Sequence, residues 1–172
     1  MPALIGLGHK SRVGKDTAAE ALVALGWERR AFADGVREMA LALPIRVGAR
    51  DLPLATYVDT FGWDRAKTLR EVTDWLDTLG RATRRLCGER VWMDRVMTDL
   101  PERCVITDVR TVAEAEAIRA AGGRLVRIDR PCVGHERPMD SLLDHWSDWD
   151  AVLVNDGSPE DLHVAIAEVA TA

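Results

Sequence analysis

The chain has 172 residues, of which 47% are hydrophobic and 30% are charged, and its formal net charge is −5. This length suits one domain with a sizeable core, and the acidic balance argues against a nucleic-acid-binding protein. The three cysteines form no CxxC pair and the four histidines lack metal-ligand spacing. We therefore expect no disulfide framework and no zinc site, and a reducing cytoplasm as the location. We also expect no signal peptide and no membrane partner.

Short apolar runs alternate with helical patterns along the whole chain. The runs predict buried strands at residues 3–7, 27–33, 104–107, 125–128 and 151–154. Helical spacing of apolar residues predicts helices around 18–25, 36–43, 69–87, 91–100, 112–118 and 159–169. Residues 44–62 show the least regular pattern, which predicts a mobile insert or cap, with a short helix as the alternative. The alternation predicts an α/β fold, a three-layer parallel sheet with helices on both faces.

The strongest functional signal lies between the first predicted strand and the first predicted helix. This segment runs from Gly8 to Thr17 and reads Gly-His-Lys-Ser-Arg-Val-Gly-Lys-Asp-Thr, in the place where a P-loop is expected. Backbone N–H groups of such a loop converge on phosphate oxygens, aided by the positive end of the helix. Lys15 is expected to reach the β- and γ-phosphates of ATP, and Thr17 to hold a phosphate oxygen or help to hold magnesium. The other residues predicted to bind ATP here are Gly8, Lys10, Arg12 and Gly14.

This loop differs from the usual P-loop at two points. Five residues separate Gly8 from Gly14 where four are usual, and Asp16 follows the lysine where Ser or Thr is usual. Asp16 can bind magnesium through water, or it can simply favour the positive end of the helix.

Further segments follow in a characteristic order. They are Gly14-Lys15-Asp16-Thr17, Phe32-Ala33-Asp34 with Arg37, Gly62-Trp63 with Lys67, Leu79-Gly80 with Arg84 and later Trp92, Val105 to Arg110, and Val154 to Gly157. Together they resemble the phage-type deoxynucleoside monophosphate kinases over most of the chain. The resemblance implies a P-loop kinase fold, ATP and magnesium (Mg2+) as cosubstrates, a deoxynucleoside monophosphate acceptor and a homodimer.

Charged residues at the predicted strand ends are candidates for catalysis. Asp108 ends a buried strand and is expected to orient magnesium or its water, with a strand-end cap or an ion pair with Arg110 as the alternative. Arg110, two residues on, is a candidate ligand of the acceptor phosphate. Arg130 follows a strand and suits a phosphate oxygen. Phosphoryl transfer needs mainly positioning and charge neutralisation, so no strong general base is expected.

The remaining candidates line the predicted acceptor and adenine sites. Asp34, Arg37, Lys67 and Arg84 are predicted substrate-binding residues, the last carried over from the resemblance. A solvated helix face is the alternative for the three cations. Trp63 is a candidate to stack on a base, although the tryptophans are expected mainly in the core or at an interface. Asn155 and Gly157 can line the adenine through their backbone, or they can form a plain turn.

The chain is therefore predicted to be one P-loop kinase domain, residues 1–172. It includes a helical acceptor-binding region at about 44–100 and a closing lid at about 130–148. The predicted function is transfer of the γ-phosphoryl group of ATP to a (deoxy)nucleoside monophosphate. Two alternatives stay open: a P-loop kinase of another small metabolite, and a non-catalytic nucleotide-binding regulator.

Overall fold

The computed structural model describes residues 3–131 and 141–171 of the chain. The strands are β1 Ala3–Gly8, β2 Glu28–Arg30, β3 Arg46–Val47, β4 Leu52–Pro53, β5 Arg103–Val109, β6 Arg124–Asp129 and β7 Ala151–Val154. The helices are α1 Lys15–Ala24, α2 Asp34–Ala42, α3 Leu54–Ala66, α4 Arg70–Cys87, α5 Val91–Met97, α6 Val112–Ala120 and α7 Pro159–Thr171.

Five strands form one parallel sheet, in the order β2-β5-β1-β6-β7. β1 lies at its centre, between β5 and β6, and is buried from its second residue onwards. A strand that is covered on both faces must be apolar on both faces, which explains its continuous apolar run. The carboxyl ends of these parallel strands meet at one edge of the sheet, so the loops that follow them lie together.

Alternate residues of β1 face two different helical layers. Ile5 and Leu7 belong to a core cluster that also contains residues of α1 and α7, including Leu22 and Ile166. On the opposite face, a Cβ atom added to Gly6 would lie 2.6 Å from Cδ1 of Ile118 on α6. Because Gly6 has no side chain, α6 packs directly against the middle of the sheet. The predicted parallel sheet with helices on both faces is thus confirmed.

The chain divides into two compact units. The first comprises Met1–Phe32 and Val96–Ala172 and contains the whole parallel sheet, and the second is Ala33–Arg95. The core of the second unit is a cluster of small and aliphatic side chains: Ala40, Ile45, Val47, Leu54, Ala66 and Val72. Within this unit the Trp92 ring lies against Gly35, and its indole N–H donates to the Gly80 carbonyl at 3.4 Å. Trp92 therefore joins α2, α4 and α5.

The segment at residues 44–62 is more regular than its sequence pattern suggests. It contains the antiparallel pair β3 and β4 and most of α3. Gly48 and Asp51, in the connection between the two strands, have φ values of 74° and 49°. Two-residue strands are too short to show a period, so the sequence pattern indicates only the short helix.

Candidate functional site

The phosphate loop connects the buried end of β1 to α1. Three of its residues have positive φ: His9 at 85°, Arg12 at 61° and Gly14 at 104°. Such values are costly for residues other than glycine and persist only where the surroundings enforce them. The left-handed backbone at His9 and Arg12 accompanies the one-residue-longer spacing between Gly8 and Gly14.

The side chain of Lys15, the first residue of α1, turns back into this loop. Lys15 is only 7% exposed, and its ammonium group donates to the carbonyl oxygens of His9, at 3.4 Å, and of Lys10. A buried ammonium held by neutral carbonyls at a helix N-terminus is a strong point of attraction for an anion. The loop thus has the charge and location that phosphate binding requires.

Asn155, directly after β7, anchors the far side of the loop. Its side-chain N–H donates to the Val13 carbonyl at 2.8 Å, and its backbone N–H donates to the Asp129 carbonyl at 2.7 Å. A Cβ atom on Gly14 would lie 2.4 Å from the Asn155 amide nitrogen. Gly14 is therefore required for close approach as well as for its positive φ. The amide of Asn155 supports the loop, a contact that differs from the predicted backbone contact with adenine.

Sequence reasoning missed the role of His9. Its ring is buried, with Nδ1 3.1 Å from a carboxylate oxygen of Asp129 and Nε2 2.9 Å from one of Asp144. Asp129 ends β6 and also accepts from Nε of Arg127 at 2.7 Å and 2.9 Å. His9 and Asp144 are 135 residues apart, so no local pattern signals this contact. The position of Asp129 at a predicted strand end was an available signal.

Trp149 covers the start of the loop. A Cβ atom on Gly8 would lie 2.6 Å from the Trp149 ring, and the indole N–H of Trp149 donates to the Trp146 carbonyl at 2.9 Å. Gly8 therefore permits a close approach of backbone and indole. Trp149 is another residue of this site that sequence reasoning did not single out.

Asp108, next to the end of β5, is tied to the segment that follows β2. Its carboxylate accepts the backbone N–H of Phe32 at 2.7 Å. Backbone N–H of Arg110 donates to Glu114 at 2.8 Å, and Glu114 forms a reciprocal capping box with Thr111 at the start of α6. Burial raises the pKa of Glu114, while the backbone hydrogen bond from Arg110 opposes that shift. The Thr-x-x-Glu pattern was a readable signal for this cap.

The two other predicted magnesium ligands lie on the first turn of α1. Asp16 is exposed, with its carboxylate 3.7 Å from the guanidinium of Arg29, and Thr17 is half-buried. The described residues, 3–131 and 141–171, contain no group of three His, Cys, Asp or Glu side chains suited to a metal ion. Magnesium does not need such a group, because it keeps several waters and takes only one or two carboxylates besides substrate phosphates.

All predicted acceptor residues except Arg110 lie in the second compact unit, and three of them form a cluster. Arg37 Nη1 donates to the Asp34 carboxylate at 3.0 Å, and its guanidinium lies 5.9 Å from the centre of the Trp63 ring. Trp63 directly follows a kink at Gly62, whose φ is 76°. We call Asp34, Arg37 and Trp63 the Arg37 cluster. It combines a cation, a carboxylate and an aromatic face, groups that suit a phosphate, a hydroxyl and a base.

The other predicted residues are more dispersed. Lys67 directly follows α3, and its backbone N–H donates to the Trp63 carbonyl at 2.9 Å. Arg84 is half-buried in the last turn of α4. Arg130 is exposed and directly follows β6, and Arg12 is exposed in the loop.

Gly157, predicted to line the adenine, lies in a turn. A Cβ atom on Gly157 would lie 2.6 Å from the Asp161 carboxylate. Gly157 thus lies against the Ser158–Asp161 hydrogen bonds at the start of α7, an arrangement typical of a turn.

The predicted lid at residues 130–148 is described only in part. Residues 132–140 lie outside the described residues, and turns occupy much of the stretch that follows. Asp144 and Trp146 belong to that stretch. Closure of the segment stays a prediction.

Comparison with known proteins relates the chain to one viral protein over nearly its whole length. A protein of Acanthamoeba polyphaga mimivirus, named "Putative deoxynucleotide monophosphate kinase", is 30% identical over 180 residues, covering 95% of this chain and 93% of its own. The chain belongs to the deoxynucleotide monophosphate kinase family. No protein-family profile matches the chain.

Solved structures similar to this kinase share little sequence with it. A sugar kinase from Janibacter sp. HTCC2649 has 18% identity and a TM-score of 0.44, covering 99% of this chain and 98% of its own. Shikimate kinase from Aquifex aeolicus has 14% identity and a TM-score of 0.47, covering 96% and 94%. The protein TT1252 from Thermus thermophilus has 17% identity and a TM-score of 0.48, covering 99% and 97%.

Family membership indicates which kind of reaction the protein catalyses. The protein is a P-loop kinase, a phosphotransferase that binds a nucleotide and a second substrate. The described part of the chain has no helix with the length and apolar character needed to cross a membrane.

Proposed function

We propose that this kinase transfers the γ-phosphoryl group of ATP to a (deoxy)nucleoside monophosphate, releasing ADP and the nucleoside diphosphate. The observation that carries the proposal is the buried Lys15 ammonium inside the loop between β1 and α1. The acceptor class is supported by the name of the mimivirus relative and by the composition of the Arg37 cluster.

On the donor side, the loop backbone and Lys15 bind the triphosphate. The ammonium exchanges its hydrogen bonds to the His9 and Lys10 carbonyls for stronger bonds to charged phosphate oxygens. Lys10 and Arg12 add positive charge to the same loop, and Arg130 adds charge at the end of β6. Because the transferring group is already an anion, holding it in line and neutralising its charge accounts for most of the catalysis.

Magnesium fits the oxygen donors of this unit. Asp108 would supply a carboxylate near the end of β5 and Thr17 a hydroxyl on α1, with Asp16 as a water-mediated contact. These are the hard oxygen ligands that magnesium prefers. When bound, the ion supplies positive charge that screens the phosphate oxygens. The chain's own contribution is the orientation of Asp108, which its bond to Phe32 N–H provides.

The Arg37 cluster is proposed as the acceptor site, with Lys67 and Arg84 as additional cations of the same unit. Arg110 is proposed separately as a ligand of the acceptor phosphate. In this proposal Arg37 exchanges its Asp34 contact for the acceptor phosphate, and Trp63 offers its ring to the base. The Arg37–Asp34 pair keeps 21% and 31% of its side chains exposed, and a doubly charged phosphate is a stronger partner for the guanidinium than one carboxylate. We also propose a homodimer, which size-exclusion chromatography with light scattering tests.

The decisive experiment measures ADP release with ATP, magnesium and each (d)NMP in turn. A parallel panel of hydroxyl-bearing metabolites that are not nucleotides tests the alternative kinase. We expect at least one nucleoside monophosphate to stimulate ADP release and the second panel to have no effect. Stimulation only by the second panel would overturn the acceptor, and ATP binding without any acceptor-dependent release would favour the regulator.

Arg110→Ala tests the assignment of the acceptor phosphate. Losing a charged hydrogen bond should raise the KM for the nucleoside monophosphate roughly ten- to hundredfold, with nearly unchanged ATP affinity. Glu116→Ala, which changes an exposed residue of the neighbouring helix α6, is the control and should leave both KM values unchanged. Loss of ATP binding with an unchanged acceptor KM would reverse the assignment of the two sites.

A further inference from the structure

The outer side of α4 carries a row of apolar side chains. Trp75 is 44% exposed and Leu86 is 83% exposed, with half-buried Leu79 and exposed Ala82 between them. Successive spacings of four, three and four residues place all four on one side of the helix. Single exposed apolar residues are ordinary on a protein surface, but a continuous row along one helix indicates a contact surface.

A shallow groove lies beside this row, in the second half of the helix. Thr78, Arg81, Ala82 and Arg85 line it, and the short side chain of Ala82 leaves room between the two arginines. An aromatic ring suits such a groove, because it packs on the alkyl stems of arginines and attracts their guanidinium groups to its face. Trp75 precedes Ala82 by seven residues, about 10 Å along the helix axis. Its ring is therefore too far away to fill the groove of its own molecule.

The exposed charges of this surface have opposite signs in the two halves of α4. Asp74 and Asp77 lie in the first half, and Arg81 and Arg85 lie in the second. Because Arg81 and Arg85 are four residues apart, their like charges disfavour the helix on its own. Within residues 3–131 and 141–171, neither arginine has a carboxylate partner, and Asp74 has only an exposed contact of 3.7 Å with Arg70. The second half thus lacks carboxylates, which the first half of another copy can supply.

We propose that the outer side of α4 is a docking surface for a second copy of this chain, with the two α4 helices antiparallel about a twofold axis near Thr78. In this arrangement the Trp75 ring of each chain enters the groove at Ala82 of the other. The two carboxylates of one helix then face the two arginines that line the groove of the second helix. A parallel arrangement would instead bring like charges together, which is unfavourable in an interface.

A second copy fits this surface better than a different protein does, because α4 carries both members of each contact. Ring and groove, and carboxylates and arginines, all lie on one helix. A twofold interface requires such self-complementarity, since each contact occurs twice with the roles exchanged. The inference rests on the homodimer proposed above and gives it a surface, and it does not depend on the identity of donor or acceptor.

The size of the surface sets the expected strength of the dimer. α4 has 18 residues and is about 27 Å long, so a pair of these helices is a small interface. The dimer should therefore dissociate in the micromolar range. None of these side chains is assigned to ATP or to the acceptor, so the readout is the association state rather than turnover.

Reversing the charges of one half tests the arrangement. The variants are Asp74→Arg/Asp77→Arg and Arg81→Asp/Arg85→Asp, and analytical ultracentrifugation measures the dimer Kd of each. In each variant like charges face each other, so Kd should rise at least about 100-fold. In an equimolar mixture of the two variants every charged half faces the opposite sign again. A mixed dimer should then form, with a Kd within about tenfold of the wild-type value.

Two further variants complete the test. Asp59→Arg/Asp64→Arg makes the same change in net charge at exposed positions of α3 and should leave the dimer Kd unchanged. Trp75→Ala removes the ring from the groove and should raise Kd about tenfold or more, as expected for an aromatic anchor. Circular dichroism checks that each variant keeps its fold.

Three results would overturn the proposal: an unchanged Kd for either reversed variant, a mixture that stays monomeric, or a wild type that is monomeric at about 100 µM. The first two leave the homodimer in place and move it to another surface or another orientation. The third removes the homodimer as well. The proposed phosphoryl transfer is decided separately, by ADP release, so its failure is distinguishable from all three.

Discussion

The phosphate loop is held by buried contacts from distant parts of the chain, whereas the Arg37 cluster is held by partly exposed neighbours on α2 and α3. The loop is secured by the buried amide of Asn155 and the buried ring of His9. The Arg37–Asp34 pair keeps 21% and 31% of its side chains exposed. A buried polar group that loses its partner costs about 1–3 kcal/mol. An ion pair that solvent reaches contributes less, down to about 0–1 kcal/mol when the pair is fully exposed.

This difference indicates two kinds of local structure. The loop is organised before any ligand binds, because breaking its contacts would leave buried polar groups without partners. The Arg37 cluster can exchange its contacts for those of a ligand at little cost. Substitutions in the loop should therefore have large effects on turnover, and substitutions in the cluster should have smaller effects confined to the acceptor.

The largest effect is expected for Lys15→Ala. Removing the one ammonium that the loop encloses should lower kcat about 100- to 1,000-fold, as for other preorganised charge-stabilising donors, with the fold retained by circular dichroism. Arg85→Ala, which removes an exposed positive charge from α4, is the control and should leave kcat unchanged. Near-normal turnover of a folded Lys15→Ala would contradict a catalytic phosphate loop.

A smaller effect is expected for Asp108→Asn. The amide keeps an acceptor for Phe32 N–H but loses the charge proposed to orient magnesium. The magnesium concentration for half-maximal rate should rise about 10- to 100-fold, which a magnesium titration of ADP release measures. Asp59→Asn, an exposed residue of α3, is the control. An unchanged magnesium requirement would make Asp108 a structural residue that holds the segment after β2.

Asn155→Ala tests the rigidity of the loop directly. The Val13 carbonyl would lose its buried donor, at a cost of about 1–3 kcal/mol, and Tm should fall by about 2–4 °C for each kcal/mol. The KM for ATP should rise while the acceptor KM stays the same. Asp156→Ala changes the exposed neighbour in the same turn, and as the control it should leave Tm and the KM for ATP unchanged. If Tm falls but the ATP KM does not change, the loop does not depend on this contact.

The smallest effect is expected for Trp63→Phe. A smaller ring weakens the contact with Arg37, worth about 0.5–1 kcal/mol, so the acceptor KM should change about two- to fivefold. Trp75→Phe, on the exposed side of α4, is the control, and the ATP KM should not change in either variant. An effect on ATP KM as large as that of Asn155→Ala would contradict the separation of the two sites.

Most of the regular elements could be predicted because their patterns are local. The spacing of Leu69, Val72, Leu76 and Leu79 predicted the long helix to about Cys87, where α4 ends. The pair β3 and β4 was missed because strands of two residues show no period. The cap formed by Thr111 and Glu114 was also missed, although its spacing was visible in the sequence.

The sequence by itself determined the alternation of strands and helices, the loop after β1 and the place of Lys15, because each depends on residues within a few positions of one another. Only the tertiary structure decided which residues restrain that loop. Asp129 reaches His9 because β6 pairs with β1, and Asn155 reaches Val13 because β7 pairs with β6. Strand order is set by packing over the whole chain, so contacts spanning 120 and 142 residues leave no periodic trace in the sequence.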